Sequence, residues 1–269
     1  MITFAIAFLI SAGVFSLTCF VFDAAIGWGV FFAVVAFVAF QVLVGLKLKK
    51  LVTREMAKVQ GILADGQKRL QAKMQRWQFR PPSSVQAAQR EMFEDTKVFV
   101  GEALKATEGL SKYRHWVPLI ERQMATAQLQ LNWMIKNFDK VDELMPKAMM
   151  MDPTLVAMKI ARMQMLDLPV EAIAKVYARA TRRLRYNQNV LLAACYSWIL
   201  VKRGDADGAF KVLTEALKNS DNEVLKRNHE CLMNNRVAHF TNSGLGDQWY
   251  TLMLEEPKIR TQRPRSVYR

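Results

Sequence analysis

Chemistry in this chain would have to come from few side chains. Three histidines (His115, His229, His239) and three cysteines (Cys19, Cys195, Cys231) are the candidates for acid–base, nucleophilic or metal work. His229, Cys231 and His239 lie close in sequence, but their spacing matches no zinc pattern and no second cysteine pair accompanies them. The cysteines are odd in number and scattered, which argues against a disulfide framework. The chain has no phosphate loop, Gly-x-Ser-x-Gly elbow, HExxH pair or full dinucleotide fingerprint; Gly244-Leu245-Gly246 is too short and follows a helical stretch. Glu255-Glu256, beside Pro257 near the tail, is expected to be solvent-exposed. The expectation is therefore no catalytic residue, no metal site and no cofactor, and a binding function carried by helices.

The elements that would position a binding surface begin in a different solvent. Residues 1 to 46 hold a single ionisable side chain, Asp23, and the runs 2 to 22 and 24 to 46 are uncharged. As helices at 1.5 Å rise per residue they would be roughly 30–35 Å long, matching a hydrocarbon core of about 30 Å. Backbone amides in lipid must be satisfied within the segment, so helix is the expected form. A transmembrane hairpin over 1–46 follows, turning near Asp23 and Gly27-Trp28-Gly29, with Gly13 and the Ala33, Ala36, Ala39 spacing as sites of close helix approach. A cleaved signal peptide fits less well, because no Lys or Arg precedes Lys47. Basic residues flank only the far end, so the positive-inside rule places both termini in the cytoplasm.

Residues 47–84 read as a basic juxtamembrane helix and Pro-rich linker. Ten Lys or Arg lie between Lys47 and Arg80 against Glu55 and Asp65, and five more lie in the tail from Lys258 to Arg269 with no acid. Residues 81 to 257 are left close to neutral, so the positive charge is peripheral. A nucleic-acid binder would be expected to carry it on the folded domain. Anionic headgroups attract juxtamembrane cations at about 1 kcal/mol each near the surface, which makes Lys47, Lys49, Lys50, Arg54 and Lys58 candidate lipid contacts. A solvated face obeying topology rules alone is the bland alternative. Leu48, Val52, Met56, Val59, Leu63, Leu70, Met74 and Trp77 recur at helical spacing up to Pro81-Pro82. That apolar face could pair with another copy, lie on the bilayer or pack on the domain.

From residue 85 to 254 no strand alternation occurs, and short breaks at Gly109, Asn137, Asp152-Pro153, Leu168-Pro169, Gly204-Asp205, Asn219 to Asn222 and Gly244 separate helical segments. Residues 122 to 155 read as a first helix ending near Trp133, a turn at Asn137, and a second helix with Phe138, Val141, Met145 and Ala148 before Asp152-Pro153. A second unit at 190 to 223 has Leu192, Tyr196 and Leu200, then Gly204-Asp205, then Ala209, Leu213, Ala216 and Leu217. Between them 156 to 189 forms a weaker unit through Ala172, Val176, Tyr177 and Ala180. These residues, and their spacing near 34, resemble the tetratricopeptide-repeat family. The sequence departs from it at Leu129 and Ser197, where a glycine is expected, and at Asp221, where a closing proline is expected.

Added to the transmembrane hairpin (1–46), the basic linker (47–84) and the basic tail (255–269) read from the residues themselves, the resemblance implies a helical-repeat solenoid over 85–254, and so an all-α protein. It assigns Phe138, Met145, Ala148, Tyr177, Gly204, Ala209, Leu213 and Ala216 to repeat packing. It places Gln123, Thr126, Gln130 and Trp133 on the inner face of one unit, with Gln164 and Trp198 in the next two. The function it implies is a membrane-anchored adaptor whose cytoplasmic repeats hold a protein or peptide, itself membrane-associated, near the bilayer. Homo-oligomers through the stalk or spans stay open. The competing reading is an electrostatic binder of anionic lipid or nucleic acid through stalk and tail, which rising salt would release.

Overall fold

Apolar runs free of proline build the first two helices, α1 (Ile2–Phe20) and α2 (Ile26–Phe79). The computed structural model describes residues 2–20, 26–184 and 186–257, and among these it is all-helical, without strands. The turn expected at Asp23 and the basic tail from 258 to 269 lie outside the described residues. Both α1 and the first part of α2 are long and apolar enough to cross a membrane. Hydroxyls inside α1 are satisfied locally: Thr18 Oγ1 donates to Val14 O and Phe15 O at 2.9 Å, and Ser11 Oγ to Phe8 O at 2.9 Å. The close approach of the two helices is at Gly29, where an added Cβ would stand 2.5 Å from Cys19 Sγ. Gly13, the expected contact, has nothing within 4 Å of such a Cβ. The correction is physical: a small residue matters only where a bulky partner faces it.

Two compact units form, Met1–Met149 and Met150–Arg269, so the division falls inside the segment 85–254 expected to be one repeat domain. In the first unit α2 runs on through the basic stretch without a break and stops ahead of Pro81-Pro82. Ser84 caps α3 (Val85–Thr107), accepting from Ala87 N at 3.0 Å. The stalk's apolar face packs on α3: Val59, Ile62, Leu63 and Leu70 join Phe99, Val100 and Ala103. Lys73 pins the two helices further by pairing with Glu91 at 2.6 Å and Asp95 at 2.5 Å, and Asp95 first, then Glu91, raises its pKa. Of the options left open for the stalk, packing on the domain is the one seen within this chain. Helices α4 (Ile120–Met134) and α5 (Phe138–Leu144) complete the unit.

The second unit comprises α6 (Pro153–Met165), α7 (Val170–Thr181), α8 (Val190–Lys202), α9 (Ala206–Leu217), α10 (Glu223–Met233) and the short α11 (Asp247–Tyr250). Asp152 accepts from Thr154 N at 2.7 Å and Pro153 occupies the first helical position, so this pair starts α6 as well as ending the turn before it. The core is α8, whose residues from 191 to 200 are all buried, packed by α6 and α9. Ala209, Leu213 and Ala216 of α9 are buried, the last two with Ala193 and Ala194 of α8 and Leu225 of α10. A buried relay ties the last loop down: Asn242 Nδ2 donates to Ala194 O at 2.9 Å, and Asn228 Nδ2 to Asn242 Oδ1 at 2.7 Å.

One local geometry recurs four times. Two residues after α4, α6, α8 and α10 stands a left-handed residue: Lys136 (φ 57°), Asp167 (φ 51°), Gly204 (φ 84°) and Asn235 (φ 53°). At each, that residue's N–H and the next one's reach back into the helix, as in Lys136 N to Trp133 O (3.0 Å) and Asn137 N to Asn132 O (3.0 Å). The matching outer bonds are Leu168 N to Met163 O, Asp205 N to Leu200 O and Arg236 N to Cys231 O. This is the Schellman ending, which satisfies the last carbonyls of a helix. The same cap thus closes α4, α6, α8 and α10.

Candidate functional site

The inner-face candidates divide by burial. Gln123 and Gln130 are exposed on α4, while Thr126 is half-buried, donating to Arg122 O at 2.7 Å and accepting from Met149 N at 2.8 Å. Trp133 is fully buried and meets Phe138 edge-on at 5.6 Å, so it packs its unit and presents no binding surface. Gln164 is committed to Arg203, whose Nε and Nη2 donate to Gln164 Oε1 at 3.0 and 2.9 Å. The same guanidinium reaches Asp167 Oδ1 at 3.0 Å and Leu168 O at 2.9 Å, locking the α6–α7 turn to the end of α8.

Trp198 is nearly buried at 9% exposure, and its indole N–H donates to Glu255 Oε1 at 2.9 Å. Trp249 donates to Glu255 Oε2 at 2.8 Å, and the two indoles meet edge-on at 5.8 Å. Glu255, expected to be a solvated tail acid, is thus a clamp holding the chain end against α8. Sequence spacing gives no hint of it, because the bond spans 57 residues. Of the residues assigned to repeat packing, Ala209, Leu213 and Ala216 are buried, and Phe138, Met145 and Ala148 are half-buried. Gly204 serves the left-handed turn, since a Cβ there would meet nothing within 4 Å. Tyr177 stacks on Tyr196 at 4.6 Å, and burial pushes its phenol up to about 12. His229 stacks on Phe210 at 4.4 Å and its Nε2 lies 3.0 Å from Thr214 Oγ1. Among the described residues, no cluster of three metal-ligating side chains occurs.

In the basic stretch of α2, Lys58 is engaged by Glu55 at 2.8 Å, and that ammonium holds the Glu55 carboxyl below its usual range. Lys47, Lys49, Lys50 and Arg54 are exposed and have no carboxylate partner among the described residues. Lys49 also borders a hollow of about 340 Å³ in the first unit, with Gln41, Val44, Trp116 and Gln123 among its walls. Gln41 Nε2 is buried without a partner among the described residues, a donor still owed an acceptor.

A hollow of about 460 Å³ in the second unit has no counterpart among the sequence expectations. It opens between the start of α6 and the end of α7. Met150, Met151, Val156, Val176, Leu184 and Leu192 supply apolar wall, and the charged residues on it are all basic: Lys159, Lys175, Arg179 and Arg183. Asp152, between two wall residues in sequence, turns its carboxylate to the α6 backbone instead. The volume falls in the range of ligand pockets, about 300–1,000 Å³. Its signal was present in the sequence as five cations and no acid from Lys175 to Arg185. No family model, curated protein or solved structure matches this chain.

Proposed function

We propose that this chain is a membrane-anchored adaptor whose tetratricopeptide-like helix pairs hold a protein partner close to the bilayer. The observation that carries the reading is the conjunction of two apolar helices long enough to cross a membrane with serially capped helix pairs. Those pairs leave apolar and polar wall uncovered, above all the groove at Met151, a side chain 72% exposed. Tethering raises the effective concentration of partners in the same membrane, so modest contacts suffice for capture. With cations following the apolar part of α2 and none before it, we assign both termini and both units to the cytoplasm. Lys47, Lys49, Lys50 and Arg54, exposed and unpaired, serve as anionic-lipid contacts that hold the stalk at the surface.

Photo-crosslinking residues placed singly at Gln123, Gln130 and Met151 in intact membranes test the adaptor reading. It expects discrete protein adducts from at least one position, reproducible in salt that screens surface charge. Lipid adducts alone, or adducts that vanish with salt at every position, would favour the electrostatic surface binder instead.

A further inference from the structure

We infer that the groove between α6 and α7 binds an acidic amphipathic helix of the partner protein. The inference rests on the adaptor reading and adds the chemistry of the partner. Its first support is the local charge. Residues 150 to 257 carry fourteen Lys or Arg against twelve Asp or Glu, so the unit is nearly neutral, yet the stretch from Lys175 to Arg185 has five cations and no acid. Lys175, Arg179 and Arg183 are exposed, line the groove and pair with no carboxylate among the described residues. Such a concentration costs self-repulsion, and among the described residues no ion pair to Lys175, Arg179 or Arg183 offsets it.

The second support is spacing. Lys175 and Arg179 stand one turn apart on α7, and Arg183 follows four residues on, in the turn just past the helix end where Arg183 N donates to Ala180 O at 3.0 Å and Leu184 N to Thr181 O at 3.2 Å. Val176, Ala180 and Leu184 run beside them at the same interval, and all three line the groove. A rail of charge next to a strip of apolar contacts is the complement of a helix with carboxylates one turn apart beside its apolar stripe. A phospholipid presents its charge at one headgroup and would leave most of the row unmatched. The wall at one end is Met150 and Met151, unbranched and polarizable side chains that adapt to different apolar shapes, as helix-binding grooves require.

The direct test uses the full-length chain in nanodiscs of zwitterionic lipid and three labelled synthetic helices. All share one leucine stripe; the flanking row is Glu, Gln or Lys at one-turn spacing. Fluorescence anisotropy should show the Glu helix binding at least about tenfold tighter than the Gln helix, and losing that margin as salt rises. The triple variant Lys175→Glu, Arg179→Glu, Arg183→Glu should reverse the preference toward the Lys helix. All three side chains are exposed, so its thermal melt should match the parent; Lys175→Gln, Arg179→Gln, Arg183→Gln is the milder substitute and should abolish discrimination between Glu and Gln helices.

Equal affinity for Glu and Gln helices, or a preference unmoved by the variants, overturns the inference. So does displacement of the Glu helix by phosphatidylglycerol vesicles that bind the parent and not the charge-reversed chain, which would make the groove a lipid site. If the helices fail while Gln123 or Gln130 still crosslinks a protein, the groove assignment falls and the adaptor reading stands. Absence of protein adducts at all three crosslinking positions removes the adaptor reading itself.

Discussion

Helices α1 and α8 are written in nearly the same apolar alphabet and meet opposite surroundings. In α8 the ten residues from 191 to 200 are all buried, against α6 and α9. In α1 only Thr3 and Ala7 are buried, while Phe8, Leu9 and Phe20 stand 68%, 70% and 83% exposed. Apolar surface left in water costs about 25 cal/mol per Å², so one of these helices must have a cover that the chain itself does not supply. For α8 that cover is protein; α1, at 19 residues, is long and apolar enough to cross a membrane, which makes lipid the cover proposed for it. Composition names the need for cover, and length together with neighbours names the solvent that meets it.

The comparison can be broken most forcefully with one charge in each helix. Leu192→Asp puts an uncompensated carboxylate at a fully buried site of α8, a change expected to cost at least about 3–5 kcal/mol and to remove the cooperative melt of the second unit. Phe8→Asp should leave that melt in place and instead weaken membrane insertion, by about 3 kcal/mol on translocon-type scales. Circular dichroism in detergent and membrane partitioning in cells separate the two outcomes. A lost melt with Phe8→Asp would mean that α1 is a soluble core helix after all.

Within α2 the same contrast is sharpened by two glycines five residues apart. At Gly66 an added Cβ would run into the Phe99 ring, so Gly66→Ala should destabilise the stalk's packing by about 1–3 kcal/mol. At Gly61 nothing lies within 4 Å, and Gly61→Ala should stabilise by about 0.5–1 kcal/mol through helix propensity alone. Denaturant midpoints that move in the same direction for both would show that the stalk does not pack on α3.

The smallest effects belong to the caps. Gly204→Ala forces a Cβ into the left-handed region and should cost about 1–2 kcal/mol. The reverse change at the equivalent position, Lys136→Gly, should gain up to about 1 kcal/mol. Opposite signs from two positions of one motif would establish that the four turns share a single geometry.

Much of this was legible in the residues because the signals were local. Uncharged runs gave α1 and the start of α2, Pro81-Pro82 marked where α2 ends, and Gly204-Asp205 and Asp152-Pro153 marked turns. What escaped was long-range or depended on a facing partner. Gly13 and Gly29 look alike in sequence, and only the opposing Cys19 and Phe15 distinguish them. Trp133 and Trp198 sit at positions where a helix face turns either way, and burial decided it. Glu255 reads as a tail acid until two indoles from distant segments are brought to it. The basic row at Lys175, Arg179 and Arg183 was visible as a run of charge, but its significance needed the hollow beside it.

The account stands on lipid as the cover for the first two helices. Alkaline carbonate washing of membranes that carry the full-length chain is the most direct measurement. The chain should stay with the bilayer through the wash and leave it only with detergent; a full-length, uncleaved chain recovered in the soluble fraction would contradict the assignment and every tethered function built on it.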